Sequence, residues 1–347
     1  MKNRFNIDLK IFEDYYSADY FKKTKEILKK FKPNQLVTMQ WFQRNEQTVI
    51  CGIEIIKEIL RLSKINNLTV EAVEEGEIVN SLEPVLKITG KYSDFAHFEG
   101  LFDGILSRAS TIATNAKRIL SAANGKTVLN MNDRMDYYTN QQIDGYASVI
   151  GGIKNLVTPA SFEFLNENPN LNGTMPHALI ASFDGDLIKA TKAYKEVFPK
   201  NNLVVLVDYN NDCINDSINV CNAFKNEIYA VRLDISSSLV DKSLQNMEEK
   251  NQELHGVNPT LVKMLREKLD LNGHNNVKII VSSGFNEEKI KIFESQNTPV
   301  DIYGVGDAIT KNKIGFTGDI VLINGKKQAK FGRENSFSSK IKSIKYN

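Results

Sequence analysis

Six apolar runs recur between residues 126 and 306: KTVLNM, HALIASF, NLVVLVDY, EIYAVRLD, VKIIVSS and VDIYGVG, each followed by a helical or loop segment. A strand this apolar needs both faces covered. Repeated in strand-then-helix rhythm, such runs call for a parallel sheet with helices packed on it. Polar or glycine residues close the runs: Asp133 and Arg134, Asp184, Asp208, Arg232 and Asp234, Ser282 to Gly284, and Gly304 with Gly306. In barrels and open α/β sheets alike, ligands sit at the carboxyl ends of the strands. These residues, scattered in sequence, are therefore predicted to converge on one site of an irregular (β/α) barrel.

The flanking segments read differently. Residues 18–31 and 51–64 carry apolar positions at helical spacing, and LTVEAVEEGEIV with EPVLKITGKY carries the alternation of strands, punctuated by Gly76 and Gly90. An Ala/Leu/Ile-rich stretch, 97–123, spans one long helix or two and stops at Asn124-Gly125. Near the end, DIVLINGKKQAKFGR reads as two strands around an Asn-Gly turn. The predicted organisation is an N-terminal α/β domain over 1–110, an α/β barrel over 111–310, and a C-terminal hairpin and tail over 311–347 that pack back on the first domain.

Composition narrows the classes of function. With 44 Lys and Arg against 42 Asp and Glu, the formal charge is +2, which offers no global attraction for nucleic acid or an anionic membrane. No apolar run reaches membrane-spanning length, and MKNRFNIDLKIFEDYY lacks the apolar core of a signal peptide, so a cytoplasmic location is expected. Cys51, Cys213 and Cys221 are widely spaced and odd in number, against both a disulfide framework and a structural zinc site.

Asp208, Arg232 and Asp234 at strand ends, with glycine-bearing turns after 281 and 303, combine acceptors for sugar hydroxyls or Mg²⁺ with amide-rich turns for phosphate. A phosphorylated sugar fits that set. One aspartate alone serves equally well as a loop cap, whereas three charged residues at strand ends favour a site. Gly304-Val305-Gly306 lacks the spacing of a dinucleotide fingerprint. Among four histidines, His177 stands apart in NGTMPHALI, where Gly173 permits close approach and Thr174 supplies a hydroxyl. His97, His255 and His274 read as structural or surface residues.

Taken in order, ADYF, VEEGEIV, EPVLKITGKY, STIATNAKRI, DRMDYYTNQQIDGYASVIGG, GTMPHAL, LVDYNNDC, VRLDIS, IIVSSGFN and YGVGDAI resemble the nicotinate phosphoribosyltransferases. These belong to the type II phosphoribosyltransferases, with the nicotinamide and quinolinate enzymes. The resemblance runs over almost the whole chain. It implies that nicotinate attacks C1 of 5-phosphoribosyl-1-pyrophosphate to give nicotinate mononucleotide and pyrophosphate, in NAD biosynthesis or salvage, coupled to ATP hydrolysis. Arg134 would orient the nicotinate carboxylate, Tyr20 from a neighbouring subunit would stack on the ring, and Thr158 would touch it. Asp208, Arg232 and Asp234 would surround the ribose, the two aspartates holding Mg²⁺. Ser282, Gly284, Gly304 and Gly306 would hold the phosphate or pyrophosphate, and His177, beside Thr174, would be transiently phosphorylated by ATP. The sequence departs from the commonest pattern in having Met131 and Asn132 where relatives carry phenylalanine and glycine, and Pro176 where they carry alanine. Met131 serves either as a thioether face for the ring or as a core residue of its strand.

The rival readings are a nicotinamide transferase and a non-catalytic sugar-phosphate binder of the same fold. The first would want an acidic residue beside NLVTPA, residues 155–160, and none is there. An aldolase on a barrel would want a Schiff-base lysine at a strand end, which no run provides. A stacking residue supplied in trans requires a homodimer or higher homo-oligomer with shared sites.

Overall fold

A computed structural model describes residues 3–165, 171, 173, 175–250 and 254–346. The N-terminal part runs α1 (Asp19–Phe31), β1 (Val37–Gln43), β2 (Thr48–Val49), α2 (Ile53–Ser63), β3 (Thr69–Ala72), β4 (Ile78–Val79), β5 (Leu86–Gly90) and the short α3 (Tyr92–Phe95). The stretch that sequence left as one helix or two is a single helix, α4 (Glu99–Ala122), running unbroken past residue 110. There follow β6 (Thr127–Asn130), α5 (Gln141–Ile150), α6 (His177–Ala181), α7 (Leu187–Val197), β7 (Leu203–Leu206), α8 (Cys213–Phe224), β8 (Ile228–Leu233), α9 (Pro259–Leu271), β9 (Lys278–Val281), α10 (Glu287–Ser295) and β10 (Ile302–Val305). The chain then returns through β11 (Phe316–Ile323), β12 (Lys326–Lys327) and β13 (Lys342–Ser343).

Among the described residues, β6–β10 form a five-stranded parallel sheet in the order β6-β10-β9-β8-β7, extended past β6 by a parallel bridge between Leu129 and Asn155. The mixed α/β architecture is as expected; the described strands pair as a five-stranded sheet without a β6–β7 pairing that would close a barrel, and one apolar run departs from expectation. HALIASF is not a strand. Pro176 occupies the N-cap in an extended conformation and His177–Ala181 is helical, with the chain leaving through left-handed Asp184 and Gly185. Ala, Leu and Ile favour a helix once a proline, lacking its N–H, has fixed the entry. The apolar run therefore packs Ile180, with Leu179 and Phe183 beside it, from a helix.

The second sheet, in the order β12-β11-β1-β5-β3-β13, is antiparallel, so the C-terminal hairpin completes the N-terminal domain. Its turn uses left-handed Asn324 and Gly325, the backbone that a two-residue hairpin with right-twisted strands requires. Gly90, expected to punctuate a turn, is instead the last residue of β5 and pairs with Val37. Close packing against Leu68 leaves no room there for a side chain.

Helix α4 packs against both sheets, and its buried surface includes a polar stripe among aliphatic residues: Ser107, Ser110, Thr111, Thr114 and Asn115 are all less than a tenth exposed. Thr114 Oγ1 accepts from Val49 N (3.0 Å) and Ser110 Oγ from Cys51 N (3.0 Å), holding the segment before α2. Beside them Thr111 Oγ1 accepts from Ile314 N (2.9 Å), Ser107 Oγ donates to Ile314 O (2.5 Å), and Asn115 Nδ2 donates to Ile309 O (3.0 Å). No described helix is long and apolar enough to cross a membrane.

At its N-terminal end α4 carries Glu99 and Asp103, whose neighbours include Tyr92 of α3 and Asp319 of β11. Burial pushes the Glu99 carboxyl up to about 7 and that of Asp103 up to about 6, although Tyr92 Oη donates to Glu99 Oε2 (2.5 Å). A folded-state value raised above the ordinary 4.5 favours folding below that pH, and the advantage is lost as pH rises through about 7. Wild type is thus expected to lose unfolding free energy relative to Glu99→Gln between pH 5 and pH 8, read from urea midpoints. Parallel profiles for the two proteins would remove Glu99 as the titrating group.

Candidate active site

Side chains along a strand alternate between its two faces, so residues of one parity share a face. Val204, Ala230 and Ile280 form a small core cluster against which Ile302 packs, on one face of the parallel sheet. Counting on in twos reaches Arg232 and Gly304 within the strands and, just past the strand ends, Asp208, Asp234 and Ser282. The sheet period itself stacks these residues above a floor of aliphatic side chains.

The contacts bear this out. Ser282 Oγ donates to Asp234 Oδ1 (2.7 Å), and Arg232 Nη2 lies 3.9 Å from Asp234 Oδ2. His177, the first residue of α6, places Nε2 2.9 Å from Asp208 Oδ2, with the imidazole 45% exposed and the carboxylate 7% exposed. Burial pushes the Asp208 carboxyl up and the neighbouring Asp234 pushes it further, against the opposing pull of His177. Burial pulls the Arg232 guanidinium down, with Asp234 and Asp208 opposing. Two polar atoms here are buried without a hydrogen-bond partner, Asp208 Oδ1 and Arg232 Nε. Such atoms are costly unless something else satisfies them.

After β9 the chain passes through two successive left-handed residues, Ser283 (φ 77°) and Gly284 (φ 67°). A Cβ at Gly284 would meet nothing within 4 Å, so the turn is open on that side. Lys289, which sequence reasoning did not single out, donates from Nζ to Ser283 O (3.2 Å) across the Phe285 ring, and burial lowers its amine to about 8. After β10 the glycines serve close approach: a Cβ at Gly304 would lie 2.9 Å from Met131 Sδ, and one at Gly306 2.9 Å from Met131 O. Met131 thus lies against Gly304, at the end of its strand and beside the site.

Arg134 closes the 3₁₀ turn Asn132–Arg134 after β6 and is exposed, near enough to Arg232 to act on its charge. Among the described residues its guanidinium has no hydrogen-bond or ion-pair partner. Thr158 lies farther back. Its hydroxyl donates to Gln141 Oε1 (2.9 Å) and accepts from Ser161 N (3.4 Å). Tyr20 is not brought to this group; it is 64% exposed on α1, packed on Phe21. Thr174 lies outside the described residues.

Among the described residues no group of three or more His, Cys, Asp or Glu is arranged to hold a metal ion. Two carboxylates remain, Asp208 with its unpartnered Oδ1 and Asp234 with Oδ2 turned to Arg232. A pair of that kind suits Mg²⁺, which keeps most of its shell as water and substrate oxygen.

With this geometry in view, comparison with known proteins is specific. Residues 19–110 match the family described as quinolinate phosphoribosyl transferase, N-terminal domain. The crystal structure of nicotinate-nucleotide pyrophosphorylase from Pyrococcus furiosus is 32% identical, superposes with a TM-score of 0.82, and is aligned over 97% of this chain and 82% of that one. Human nicotinic acid phosphoribosyltransferase shares the fold at 17% identity and a TM-score of 0.68, over 92% of this chain and 77% of that one. Nicotinate phosphoribosyltransferase pncB2 of Mycobacterium tuberculosis is 24% identical over 241 residues, 68% of this chain and 46% of the relative. The chain spans about half the length of the curated relatives it matches. The N-terminal family match and the 32% identity over almost the whole chain place this fold among the type II phosphoribosyltransferases. This chain belongs to that family.

Because a Cβ at Gly306 would lie 2.9 Å from the Met131 carbonyl and 3.0 Å from Met135 Cε, Gly306→Ala is expected to cost roughly 1–3 kcal/mol, the usual scale of overpacking. Chemical denaturation measures it. An unchanged midpoint would mean that the turn beside β6 yields freely.

Proposed function

We infer that the chain catalyses transfer of the phosphoribosyl group of 5-phosphoribosyl-1-pyrophosphate to nicotinate, releasing pyrophosphate and forming nicotinate mononucleotide in NAD biosynthesis. The observation that carries this reading is the count of charges. Arg232 faces Asp208 and Asp234 and Lys289 is bonded to the Ser283 carbonyl at the glycine turn, whereas Arg134 has no partner among the described residues and is the one guanidinium at the strand ends left for the base. One guanidinium suits one carboxylate. Quinolinate, which gives its name to the matched N-terminal family, carries two carboxylates and would call for a second such cation.

The chemistry follows from where charge develops. As the C1–O bond to pyrophosphate breaks, the ribose becomes cation-like and the leaving group anionic, while the nicotinate ring nitrogen donates its lone pair to C1. No proton need be removed, so the protein's task is positioning and electrostatics. The carboxylates of Asp208 and Asp234 face the developing cation, and the turns at 282–284 and 304–306 offer backbone amides to phosphate. Asp208 Oδ1 and Asp234 would hold Mg²⁺, which when bound neutralises pyrophosphate charge.

His177 fits the role of phosphoryl acceptor from ATP. A carboxylate can only accept, so Nε2–H donates to Asp208 and Nδ1 keeps the lone pair that attacks. The bond from Nδ1 to the γ-phosphorus forms as the bond to ADP breaks, and water later returns the group as phosphate.

Three arms test the reading: protein, Mg²⁺ and 5-phosphoribosyl-1-pyrophosphate with nicotinate, with quinolinate, or with nicotinamide, each with and without ATP. Mononucleotide and pyrophosphate are expected from nicotinate; product from quinolinate or nicotinamide alone would overturn the assignment, and no product at all would favour a sugar-phosphate binder. In the same tubes labelled ATP should leave an acid-labile, base-stable phosphate on the wild type that is missing from His177→Ala. A protein that takes up no phosphate and turns over equally fast without ATP would reduce His177 to substrate positioning.

Tyr20, exposed and remote from Arg134 in its own chain, fits a stacking residue given to a neighbouring copy, which makes the enzyme a homo-oligomer. Mixing inactive Tyr20→Ala with inactive Asp234→Ala subunits is then expected to restore part of the turnover, because some mixed pairs contain one intact site. Activity that stays absent after confirmed subunit exchange would place the whole site within one chain.

A further inference from the structure

We propose that Gln141 and Asp144, three residues apart on one face of α5, are positioning residues that aim Arg134, which rests on the reading of Arg134 as the residue that binds the base's carboxylate. The turn bearing Arg134 is gripped at adjacent residues from this one helix. Gln141 Nε2 donates to Asp133 O (2.9 Å), and Asp144 Oδ2 accepts from Asn132 Nδ2 (3.2 Å). Met131 N, immediately before, donates to Val305 O (2.7 Å) and ties the same turn to β10.

Each strut is itself held. Asp144, 2% exposed, is clasped by Arg108 of α4 through Nε (2.8 Å) and Nη2 (2.5 Å), and Arg108 Nη1 reaches Asp136 (2.5 Å) beyond the turn. Gln141 receives the Thr158 hydroxyl (2.9 Å), which fixes which end of its amide faces Asp133. Helix α5 and the glycine that caps it pack closely on their neighbours, since a Cβ at Gly145 would collide with the Ser161 carbonyl and one at Gly151 with the Ala113 carbonyl. These contacts hold residues 131–133 before Arg134 and Asp136 beyond it, and the guanidinium between them is left without a described partner. Fixing the backbone at the root of a side chain narrows where its tip can reach and lowers the ordering cost of binding. Thr158, on this account, acts through Gln141 and not by touching the ring.

The test uses isosteric changes in the full-length protein. Gln141→Glu keeps the acceptor that Thr158 needs and removes the donor to Asp133 O. It is expected to raise KM for nicotinate about tenfold, the scale of one lost hydrogen bond in a binding geometry, with KM for 5-phosphoribosyl-1-pyrophosphate and kcat within about twofold. Thr158→Val should shift nicotinate KM in the same direction, and Thr158→Ser should move it back. In an Arg134→Ala background Gln141→Glu should add nothing, because there is no longer a guanidinium to aim. A full additive effect in that background, or equal damage to both Michaelis constants, overturns the positioning role while leaving Arg134 as the base's partner. If Arg134→Ala itself leaves nicotinate KM unchanged, both fall together. Should Gln141→Glu not fold, the Thr158 pair carries the same comparison.

Discussion

Much of this structure hangs on the buried polar stripe of α4. A helix packed against two sheets ordinarily shows them aliphatic side chains, yet here hydroxyls and an amide among them bond to backbone groups of Val49, Cys51, Ile309 and Ile314. Apolar contacts are non-directional and tolerate sliding; buried hydrogen bonds are directional, and leaving one unmade is costly. The segment entering α2 and the segment leaving β10 are thereby fixed to neighbouring positions on one face of the helix. Arg108 extends the same helix's influence to Asp144, and through it toward the turn that carries Arg134.

Electrostatics at the site divide into compensated and uncompensated parts. Asp208, Arg232 and Asp234 are partly shielded from water, which makes each interaction stronger than it would be at a surface, and the single guanidinium offsets one of the two carboxylates. Substrate groups that complete the unpartnered Asp208 Oδ1 and Arg232 Nε would recover a desolvation cost already incurred on folding.

Legibility from sequence followed physical range. The strand-end residues were readable because period-two alternation is a local rule, and so Asp208, Arg232, Asp234, Ser282 and Gly304 fall together as expected. HALIASF misled because apolar content alone does not separate a short buried helix from a strand, and the proline that decides it lies outside the run. Gln141 and Asp144 sat unread within a motif already quoted; their three-residue spacing on a helix was visible, but their partners Asp133, Asn132 and Arg108 come together only in the fold. Lys289 was hidden in the same way, since the burial of its amine depends on Phe285 and on a left-handed turn. Tyr20 rests on resemblance alone.

Strand β1 sits in the interior of its sheet, between β5, which follows soon after it, and β11, which comes almost at the chain's end. Trp41, wholly buried, packs against Gly318 of that late strand, where only a glycine leaves room for the indole. During synthesis the ribosome therefore releases β1 with one edge unpaired and its tryptophan uncovered, and the strand that will close it emerges only after the whole parallel sheet has been made. An open edge of this kind is a template for association with other nascent chains. Speed of elongation and chaperone supply thus bear on the yield of this protein, and the liability lies in the antiparallel sheet and not in the parallel sheet that carries the strand-end charges.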